Sequence, residues 1–259
     1  MIRKNISFAG AGRVAGALCR ELYSKGAIID LIVSESENSG RLLAESCNAV
    51  WSSELNYPDS TDLIIVAVPD HRLQSVLDKL RCDPETIVVH TAGSMGLDVF
   101  PESVLRKGVF YPLQTFSSGR KVDFTGLPVL IETPDTKASE LLKIIAESMD
   151  CRVLFSDTEH RRMLHLSAVF ACNFTNHMLT EGKEIALKAG FPFETLIPLI
   201  NETISKAIDI GPEISQTGPA VRNDKNTLEK HLELLSFSPE LQRIYNEITL
   251  SIMHYHNKL

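Results

Sequence analysis

Cysteine, basic charge and long apolar runs are all scarce in this sequence. Its five cysteines are odd in number, lie far apart and form no Cys-x-x-Cys pair, so neither a disulfide framework nor a zinc site is expected. The longest apolar run, Leu63 to Val68, has six residues, whereas a membrane helix needs about 18. The net charge of -7 disfavours binding to nucleic acid or to an anionic membrane surface. A small molecule is therefore the expected partner.

The first residues also lack the features of an export signal. Apolar residues follow Met1–Lys4, but Arg13 interrupts them and no convincing small-x-small cleavage site follows. We therefore expect a cytoplasmic protein. Its 259 residues, of which 44% are hydrophobic and 23% charged, match an ordinary globular chain that is large enough for two domains.

Residues 5 to 134 alternate short β-rich segments with helix-like segments, a pattern typical of a parallel sheet with helices on both faces. The predicted strands, with a last one that follows a further helix, are Ile6–Ala9, Ile28–Val33, Ala49–Trp51, Asp62–Val68, Thr86–Thr91, Val109–Leu113, Pro128–Glu132 and Arg152–Phe155. The run Leu63–Val68 is apolar throughout, as burial on both faces requires. The sequence thus predicts an α/β fold with a doubly wound, Rossmann-type and mainly parallel sheet.

The rest of the chain has the pattern of an all-α domain. One long helix is predicted over residues 157–189, because a glycine and a proline follow it closely. The motif Asn226-x-x-Glu229 predicts the start of a later helix through a capping box, and Ser238-Pro239 predicts the start of the last helix. We expect a dinucleotide-binding domain over residues 1–155 and a helical substrate and dimerisation domain over residues 156–259.

A glycine-rich turn joins the first predicted strand to the first helix. It has the sequence Gly10-Ala11-Gly12-Arg13-Val14-Ala15, which matches the Gly-x-Gly-x-x-Ala pattern of dinucleotide-binding folds. Gly10 permits a tight turn, Gly12 lets a diphosphate approach the backbone, and the small Ala15 lets helix and strand pack closely. The helix N-terminus then offers N–H groups to the phosphates. These features predict a nicotinamide dinucleotide site, although such a turn can also serve helix–strand packing alone.

The end of the second predicted strand bears on which dinucleotide is bound. An acidic residue there would accept hydrogen bonds from the adenosine ribose of NAD. Ser34 stands at that position, which leaves room for the 2′-phosphate of NADP, and Ser36 and Arg13 are candidate contacts of that phosphate. Glu35 argues for NAD if its side chain turns inward. The pattern favours NADP, with NAD as the alternative.

Ligands of such folds bind beyond the carboxyl ends of the strands, where several candidate residues stand. Val68 and Pro69 end the fourth predicted strand, and Gln114 follows the sixth. His90 and Thr91 end the fifth, beside backbone N–H groups that would lie near a nicotinamide or a substrate. We therefore assign Val68, Pro69 and Thr91 to the cofactor, His90 to catalysis and Gln114 to the substrate. Turn formation alone is the alternative role of these segments.

Several motifs, in order along the chain, resemble those of a family of bacterial oxidoreductases. They are Phe8–Val14, Val66–Asp70, His90–Gly93, Pro112–Phe116, His165 with Asn173, and Thr217-Gly218-Pro219-x-x-Arg222-x-Asp224. Such proteins combine a Rossmann-like domain, similar to those of pyrroline-5-carboxylate reductase and coenzyme F420-dependent NADP oxidoreductase, with a helical domain of unknown function that resembles the C-terminal fold of 6-phosphogluconate dehydrogenase. The resemblance implies a dinucleotide-dependent reductase and leaves its substrate open. Two positions depart from the family pattern, since Tyr111 replaces a histidine and Asn223 replaces the glycine of Arg-Gly-Asp.

The predicted long helix carries the main candidate for a proton donor. Histidine has an unperturbed pKa suited to proton transfer near neutrality, and His165 shares a broad helix face with Asn173 and Asn176. His165 and Asn173 are eight residues apart, about 12 Å along an α-helix, so they cannot hold one atom together. We expect one to serve the reacting centre and the other the amide or ribose of the cofactor. Hydrogen bonding inside the protein is the alternative role of both.

Arg222 is the candidate for binding a substrate carboxylate. It lies in a loop between helices and could hold a carboxylate bidentately, unless it pairs with Asp224 and fixes the loop. No metal is expected, because His160 and His165 lack the spacing and the third ligand of a helical zinc site.

These features favour an NADP-dependent oxidoreductase that transfers a hydride between the cofactor and a small carbonyl or imine compound, itself a carboxylate. The rival hypothesis is a dinucleotide-binding sensor or regulatory protein without turnover. A homodimer is also expected, because a thin array of helices cannot readily cover its own apolar faces. Those faces include Leu228, Leu232, Leu235, Leu241, Ile244 and Ile248.

Overall fold

A computed structural model describes residues 3–257 and contains an eight-stranded sheet, helices that flank it and a further set of helices. The strands are β1 Asn5–Ala9, β2 Ile28–Val33, β3 Val50–Ser52, β4 Leu63–Val66, β5 Ile87–His90, β6 Arg106–Pro112, β7 Pro128–Glu132 and β8 Arg152–Phe155. The α-helices are α1 Arg13–Ser24, α2 Glu37–Ser46, α3 Asp70–Lys79, α4 Thr136–Ser148, α5 Thr158–Ala168, α6 Thr175–Lys188, α7 Ile197–Ile210, α8 Pro212–Ser215, α9 Lys225–Leu234 and α10 Pro239–Asn257. The chain forms two compact units, of which the first ends at Asn173 and the second begins at Phe174.

The sheet of the first unit has the strand order β3-β2-β1-β4-β5-β6-β7-β8. Strands β1 to β6 pair in parallel, β7 runs antiparallel to β6, and β8 is parallel to β7. The predicted α/β fold with a doubly wound, mainly parallel sheet is therefore confirmed. The carboxyl ends of β1, β2, β4, β5 and β6 meet at one edge, and the strand order reverses between β1 and β4, which is where such folds bind ligands.

Both faces of this sheet are covered, which explains the apolar strands. Along β4, Ile65 belongs to one buried cluster, whereas Ile64 and Val66 belong to the cluster on the other face. Helices α1, α2 and α4 cover the first face, and α3 covers the second, where Leu73 and Leu77 are buried. Alternate residues of a central strand thus pack on opposite helical layers.

Most predicted strand bounds lie within one residue of those in the structure, and β2, β7 and β8 agree at both ends. The sixth strand differs, because it begins at Arg106 rather than at Val109. The Arg106 guanidinium donates to Glu85 at 2.8 Å and to Asp135 at 2.5 Å, so a charged residue at the strand start is stabilised by two carboxylates. Because the strand begins with a charged residue, a prediction based on apolar runs missed its first residues.

Two predictions about the helical segments need correction. The long helix predicted over residues 157–189 is continuous from Thr158 to Lys188, but it is not uniformly α-helical, since the segment Val169–Phe174 between α5 and α6 is a π-helix. Its wider turns are a local change that a 3.6-residue periodicity does not reveal. The residue that caps α9 is Asp224 rather than Asn226, because its carboxylate accepts the Thr227 N–H at 3.2 Å and the Thr227 hydroxyl at 2.7 Å.

The second unit buries some of its apolar residues and exposes others. Leu228 and Leu235, predicted to lie on uncovered faces, are buried, whereas Ile248 is 42% exposed. Much larger exposure occurs at Ile208 and Ile214, at 77% and 76%. Within residues 3–257, no helix combines the length and the apolar character needed to cross a membrane.

Candidate functional site

The turn between β1 and α1 has a backbone that only glycine tolerates at its first position. Gly10 has a φ of 109°, and its N–H donates to the Val33 carbonyl at 2.7 Å. A Cβ at Gly10 would lie 2.4 Å from the Ala67 carbonyl oxygen, whereas a Cβ at Gly12 would have no heavy atom within 4 Å. The turn is therefore closed on the β4 side and open toward solvent beside the N-terminus of α1, where an anionic ligand can approach the backbone.

A cavity of about 420 Å³ opens at this turn, at the carboxyl edge of the sheet. Its walls come from the ends of β1, β2 and β4, from the loop after β3, and from α3. Of the predicted cofactor residues, Gly10, Ala11, Gly12, Ser34, Ser36, Val68 and Pro69 line it. Among the described residues, Arg13, Val14 and Thr91 are not part of its lining. The topology thus brings most of the predicted cofactor residues to one cavity, although they come from three separate strand ends.

The end of β2 forms the far side of this cavity. Ser34 is buried there, and its hydroxyl donates to the Ser36 carbonyl at 2.9 Å and accepts the Trp51 indole N–H at 3.1 Å. A Cβ at Gly40 would lie 2.2 Å from both the Ser34 oxygen and the indole nitrogen, so glycine is required for this contact. The following residue, Glu35, forms an ion pair with Arg72 of α3. Arg72 lines the cavity but was not among the residues predicted from the sequence.

His90, a predicted catalytic residue, is fully buried at the end of β5. Its Nδ1 accepts the Ala92 N–H at 3.2 Å, so the ring proton is on Nε2, which lies 3.2 Å from the Gly96 carbonyl oxygen. The ring also stacks on Phe100, with centroids 5.4 Å apart. Burial lowers the pKa of His90 to about 4. These contacts hold the loop after β5 and leave neither ring nitrogen exposed to a ligand.

His165 of α5 instead lies over the ends of β5 and β6. Its Nδ1 is 2.9 Å from the hydroxyl of Tyr111, at the end of β6. A Cβ at Gly93 would lie 2.8 Å from both Nδ1 of His165 and Cζ of Tyr111, so the two rings rest directly on the loop backbone. Burial raises the pKa of Tyr111. The structure thus brings the side chains of His165 and Tyr111, which are far apart in sequence, into contact above the loop that follows β5. We call these two residues the His165–Tyr111 pair.

Two arginines fix α5 on the loop that follows β5. Arg161 is fully buried, and its guanidinium donates to the Met95 carbonyl and to the Glu132 carboxylate. Arg162 donates to the Ser94 carbonyl at 2.6 Å. Because these residues precede His165 by about one helical turn, the helix is fixed close to the imidazole. Such support is what a positioned proton donor requires.

The π-helical segment changes the relation between His165 and Asn173. In an uninterrupted α-helix the two side chains would lie about 80° apart around the axis. A π-turn accommodates about one extra residue, which rotates Asn173 back to within about 20° of His165. Asn173 is exposed and His165 is half-buried. The segment therefore places both predicted residues on one side of the helix.

The two predicted substrate residues lie on loops. Gln114 is exposed, and its side-chain oxygen accepts the Thr115 N–H at 2.8 Å. Arg222 is also exposed in the second unit. Hydrogen bonds from Thr227, and to a smaller extent the charge of Arg222, lower the pKa of Asp224. Asp224 is thus engaged in capping α9, and the described contacts include no ion pair between it and Arg222.

Tyr111 and Arg72 are site residues to which the sequence analysis assigned no role. Tyr111 stood where a histidine was expected, and Arg72 lies inside a polar helix without a motif. A signal existed for Arg72, because it follows the carboxyl end of the fourth predicted strand and shares one helical face with Ser75 and Lys79. In the structure this face lines the cavity. Within residues 3–257 we find no group of three metal-ligating side chains.

Comparison with known protein families gives two matches. The model described as "NADP oxidoreductase coenzyme F420-dependent" matches residues 5–93. The model described as "Domain of unknown function (DUF2520)" matches residues 127–252. No curated protein matches the chain.

Several solved structures are similar over nearly the whole chain. A Bacteroides fragilis protein, provisionally described as an NADP oxidoreductase, is 40% identical with a TM-score of 0.89, and the match covers 97% of this chain and 98% of that one. A Thermotoga maritima protein is 23% identical with a TM-score of 0.72, covering 98% of both chains. An imine reductase from Myxococcus stipitatus in complex with NADP+ is 14% identical with a TM-score of 0.66, covering 98% of this chain and 93% of that one. The last two establish a shared fold.

Proposed function

Because the chain belongs to the family of NADP oxidoreductases that join a Rossmann-like domain to this C-terminal domain of unknown function, we propose that it is an NADP-dependent oxidoreductase. Its substrate would be a small carbonyl or imine compound that carries a carboxylate. The observation that carries the proposal is the open face of Gly12 beside the 420 Å³ cavity, since it leaves the N-terminus of α1 accessible to a diphosphate.

The residues of the cavity fit a dinucleotide. Gly10 and Gly12 would hold the diphosphate against backbone N–H groups, and the end of β2 would hold the adenosine. The next strands along the same edge are β4 and β5, so the nicotinamide would lie toward Val68, Pro69 and the loop after β5. When bound, a reduced nicotinamide supplies the hydride.

The His165–Tyr111 pair supplies the proton in this proposal. The Tyr111 hydroxyl oxygen can accept from Nδ1–H of a protonated His165, and it still accepts from Nδ1–H of the neutral ring after Nε2 has given up its proton. In the other neutral tautomer, with the proton on Nε2, the hydroxyl donates to Nδ1. Because burial raises the pKa of Tyr111, the phenol keeps its proton near neutral pH. Tyr111 can therefore satisfy His165 in both protonation states, as a residue that gives up and regains a proton requires. His90, whose nitrogens are both bonded to the backbone, has no part in the transfer.

The substrate class rests on the chemistry of hydride acceptors and on two supporting observations. A carbonyl or imine needs a proton donor at the heteroatom, and in this proposal His165, whose contact with Tyr111 supports the choice, is that donor. The shared fold with an NADP-bound imine reductase agrees with this class. Arg222, whose guanidinium is exposed and forms no ion pair with Asp224 among the described contacts, is the candidate for holding the carboxylate.

The test is turnover of NADPH by the purified protein with a panel of keto and imino acids. Once a substrate is found, His165→Ala should lower kcat by about 10²–10⁴-fold while the Kd for NADPH stays nearly unchanged. Tyr111→Phe should lower kcat less and shift the pH profile of kcat, because it removes only the partner of Nδ1. Unchanged kcat in His165→Ala would exclude it as the proton donor.

His160→Ala is the matched control. His160 lies on the same helix, but its side chain is 80% exposed and pairs with Asp157 at 2.8 Å. The variant should retain kcat and the affinity for NADPH. A wild-type protein that binds no nicotinamide dinucleotide, measured by calorimetry and by thermal shift, would contradict the proposed function itself.

A homodimer is part of the proposal, with the interface formed mainly by the helical unit. The exposed side chains of Leu199, Ile208 and Ile214, at 65%, 77% and 76%, support it. Apolar residues of this size are usually covered when several lie in neighbouring segments. Leu228 and Leu235 are buried within the unit and are therefore not part of the proposed interface.

A further inference from the structure

The mouth of the 420 Å³ cavity is crossed by an ion pair. Glu35, the second residue beyond β2, contacts the guanidinium of Arg72 in the first turn of α3. Both residues line the cavity, so the pair joins its two walls. The side chains are 80% and 45% exposed, and exposed pairs of this kind contribute little to stability. Opening the pair for a ligand would therefore cost little.

The charge at this end of the cavity is arranged for an anion. Arg72, Ser75 and Lys79 follow one another on one face of α3, and all three line the cavity. Ser36 and Ser39, at the start of α2, line the same cavity, and the Ser36 hydroxyl accepts the Ser39 N–H. The charged residues in the cavity lining are thus two cations, Arg72 and Lys79, and one carboxylate, that of Glu35. A ligand with a compact negative charge would complete this set.

The residue that an NAD-binding site would use is not available. Ser34 occupies the position where an acid would accept hydrogen bonds from the ribose, and its hydroxyl is committed to the Ser36 carbonyl and to Trp51. Glu35 carries the nearby negative charge, but its carboxylate points to Arg72. At the end of β2 the carboxylate that a ribose diol would need is therefore that of Glu35, and it is engaged with Arg72 while the ion pair is closed.

We infer that Arg72 receives the 2′-phosphate of NADP, that Glu35 is its counter-ion in the ligand-free protein, and that this exchange sets the preference for NADP over NAD. The inference rests on the proposed function only in taking the ligand to be an adenine dinucleotide. A planar guanidinium binds phosphate oxygens bidentately, so phosphate replaces carboxylate without loss of pairing. The displaced carboxylate of Glu35 returns to water, where most of its surface already lies.

The test uses two fragments that contain the adenosine end alone, adenosine 2′,5′-bisphosphate and 5′-AMP, with Kd measured by calorimetry. The wild type should bind the bisphosphate more tightly. Arg72→Gln should weaken the bisphosphate about 10- to 100-fold, as expected for a charged hydrogen bond, and change 5′-AMP by less than about threefold. Glu35→Gln should tighten the bisphosphate several-fold, because it removes the competing carboxylate.

Arg41→Gln is the matched control for these variants. Arg41 also pairs with a glutamate, Glu37, but its guanidinium lies 4.7 Å from the centre of the Trp51 ring, and it does not line the cavity. It should leave both affinities unchanged. Equal weakening of both fragments by Arg72→Gln, or no weakening of either, would overturn the inference. Selective loss of 5′-AMP binding in Glu35→Gln would do the same, since the carboxylate would then bind the ribose.

The result separates this inference from the proposed function. If the fragments show the expected pattern but the protein oxidises no NADPH with any keto or imino acid, Arg72 is still the phosphate residue and the proposed turnover is wrong. If the fragments bind without any dependence on Arg72 while NADPH is oxidised, the oxidoreductase assignment stands and the role of Arg72 is wrong. Unfolding of Arg72→Gln is checked by its melting temperature, and Arg72→Lys, which keeps the charge, should restore part of the preference.

Discussion

His90 should remain uncharged in the native protein far below the pH at which histidines usually titrate. The ring is fully buried at the end of β5, Nδ1 accepts the Ala92 N–H, and Nε2 donates to the Gly96 carbonyl. A second ring proton would be placed against the Ala92 N–H, where no acceptor faces it. Burial is the main reason that the pKa of His90 falls to about 4.

The sign and size of the effect on stability follow from this pKa. A histidine in an unfolded chain has a pKa of about 6.5. Between pH 6.5 and 4 the unfolded state therefore binds a proton at His90 that the native state does not bind. The contribution of His90 to the free energy of unfolding is therefore complete above pH 6.5 and is lost as the pH falls toward 4. The full loss is about 3 kcal/mol, of which about 2 kcal/mol is reached by pH 5.

The perturbation that tests this is His90→Asn, which keeps an acceptor for the Ala92 N–H and removes the titrating ring. In histidine-labelled protein, the NMR signal that the variant lacks should not shift between pH 8 and pH 5, unlike those of exposed histidines. Urea denaturation should show that lowering the pH from 8 to 5 costs the wild type about 2 kcal/mol more than the variant. A His90 signal that titrates near pH 6.5, or equal acid sensitivity of the two proteins, would refute the reasoning.

Further outcomes are expected at the glycine turn, at Arg161 and in the helical unit. Gly10→Ala should destabilise the protein by at least about 1–3 kcal/mol in urea, because φ at that position is 109°, whereas Gly12→Val should preserve the circular dichroism spectrum and abolish the thermal shift with NADPH. Arg161→Ala should cost about 3–5 kcal/mol, because it leaves the carboxylate of Glu132 without its buried partner, and a melting temperature within one degree of the wild type would contradict this. Light scattering at tens of micromolar should give the mass of a dimer, and Ile208→Asp should shift it toward a monomer; a wild-type monomer under those conditions would exclude the proposed homodimer.

The sheet could be predicted because its physical requirements leave marks in the sequence. A strand such as β4, which is packed by helices on both faces, has to be apolar throughout, and Leu63–Val66 is. The glycine at position 10 was equally easy to interpret from the sequence, since its φ of 109° and the nearby Ala67 carbonyl leave no room for a side chain. Both features can be seen in a few consecutive residues, as an apolar run and as a glycine pattern, although the Ala67 carbonyl that Gly10 faces is distant in the sequence.

The roles of the polar residues at the sheet edge were harder to predict. The contacts of a side chain at the end of a strand depend on segments that are distant in the sequence. His90 is the last residue of β5 and Tyr111 is the last but one of β6, yet the His90 ring is buried beneath its own loop and the Tyr111 hydroxyl contacts His165. The contact of Tyr111 joins residues 54 positions apart and exists because α5 is docked on the loop after β5. The docking depends on Arg161, whose burial among carbonyl and carboxylate oxygens has no periodic or motif signature.

Helical periodicity has a further limit, visible at His165 and Asn173. A prediction that counts 3.6 residues per turn separates the two side chains by about 80° and assigns them to different parts of a broad face. The π-helical segment Val169–Phe174 removes most of that angular separation, and no residue type in the sequence marks it. Wider turns of this kind cost helix stability and persist where surrounding contacts or a functional requirement maintain them. The segment begins four residues after His165 and includes Asn173, so its position is better explained by alignment of these two side chains than by the helical preference of the sequence.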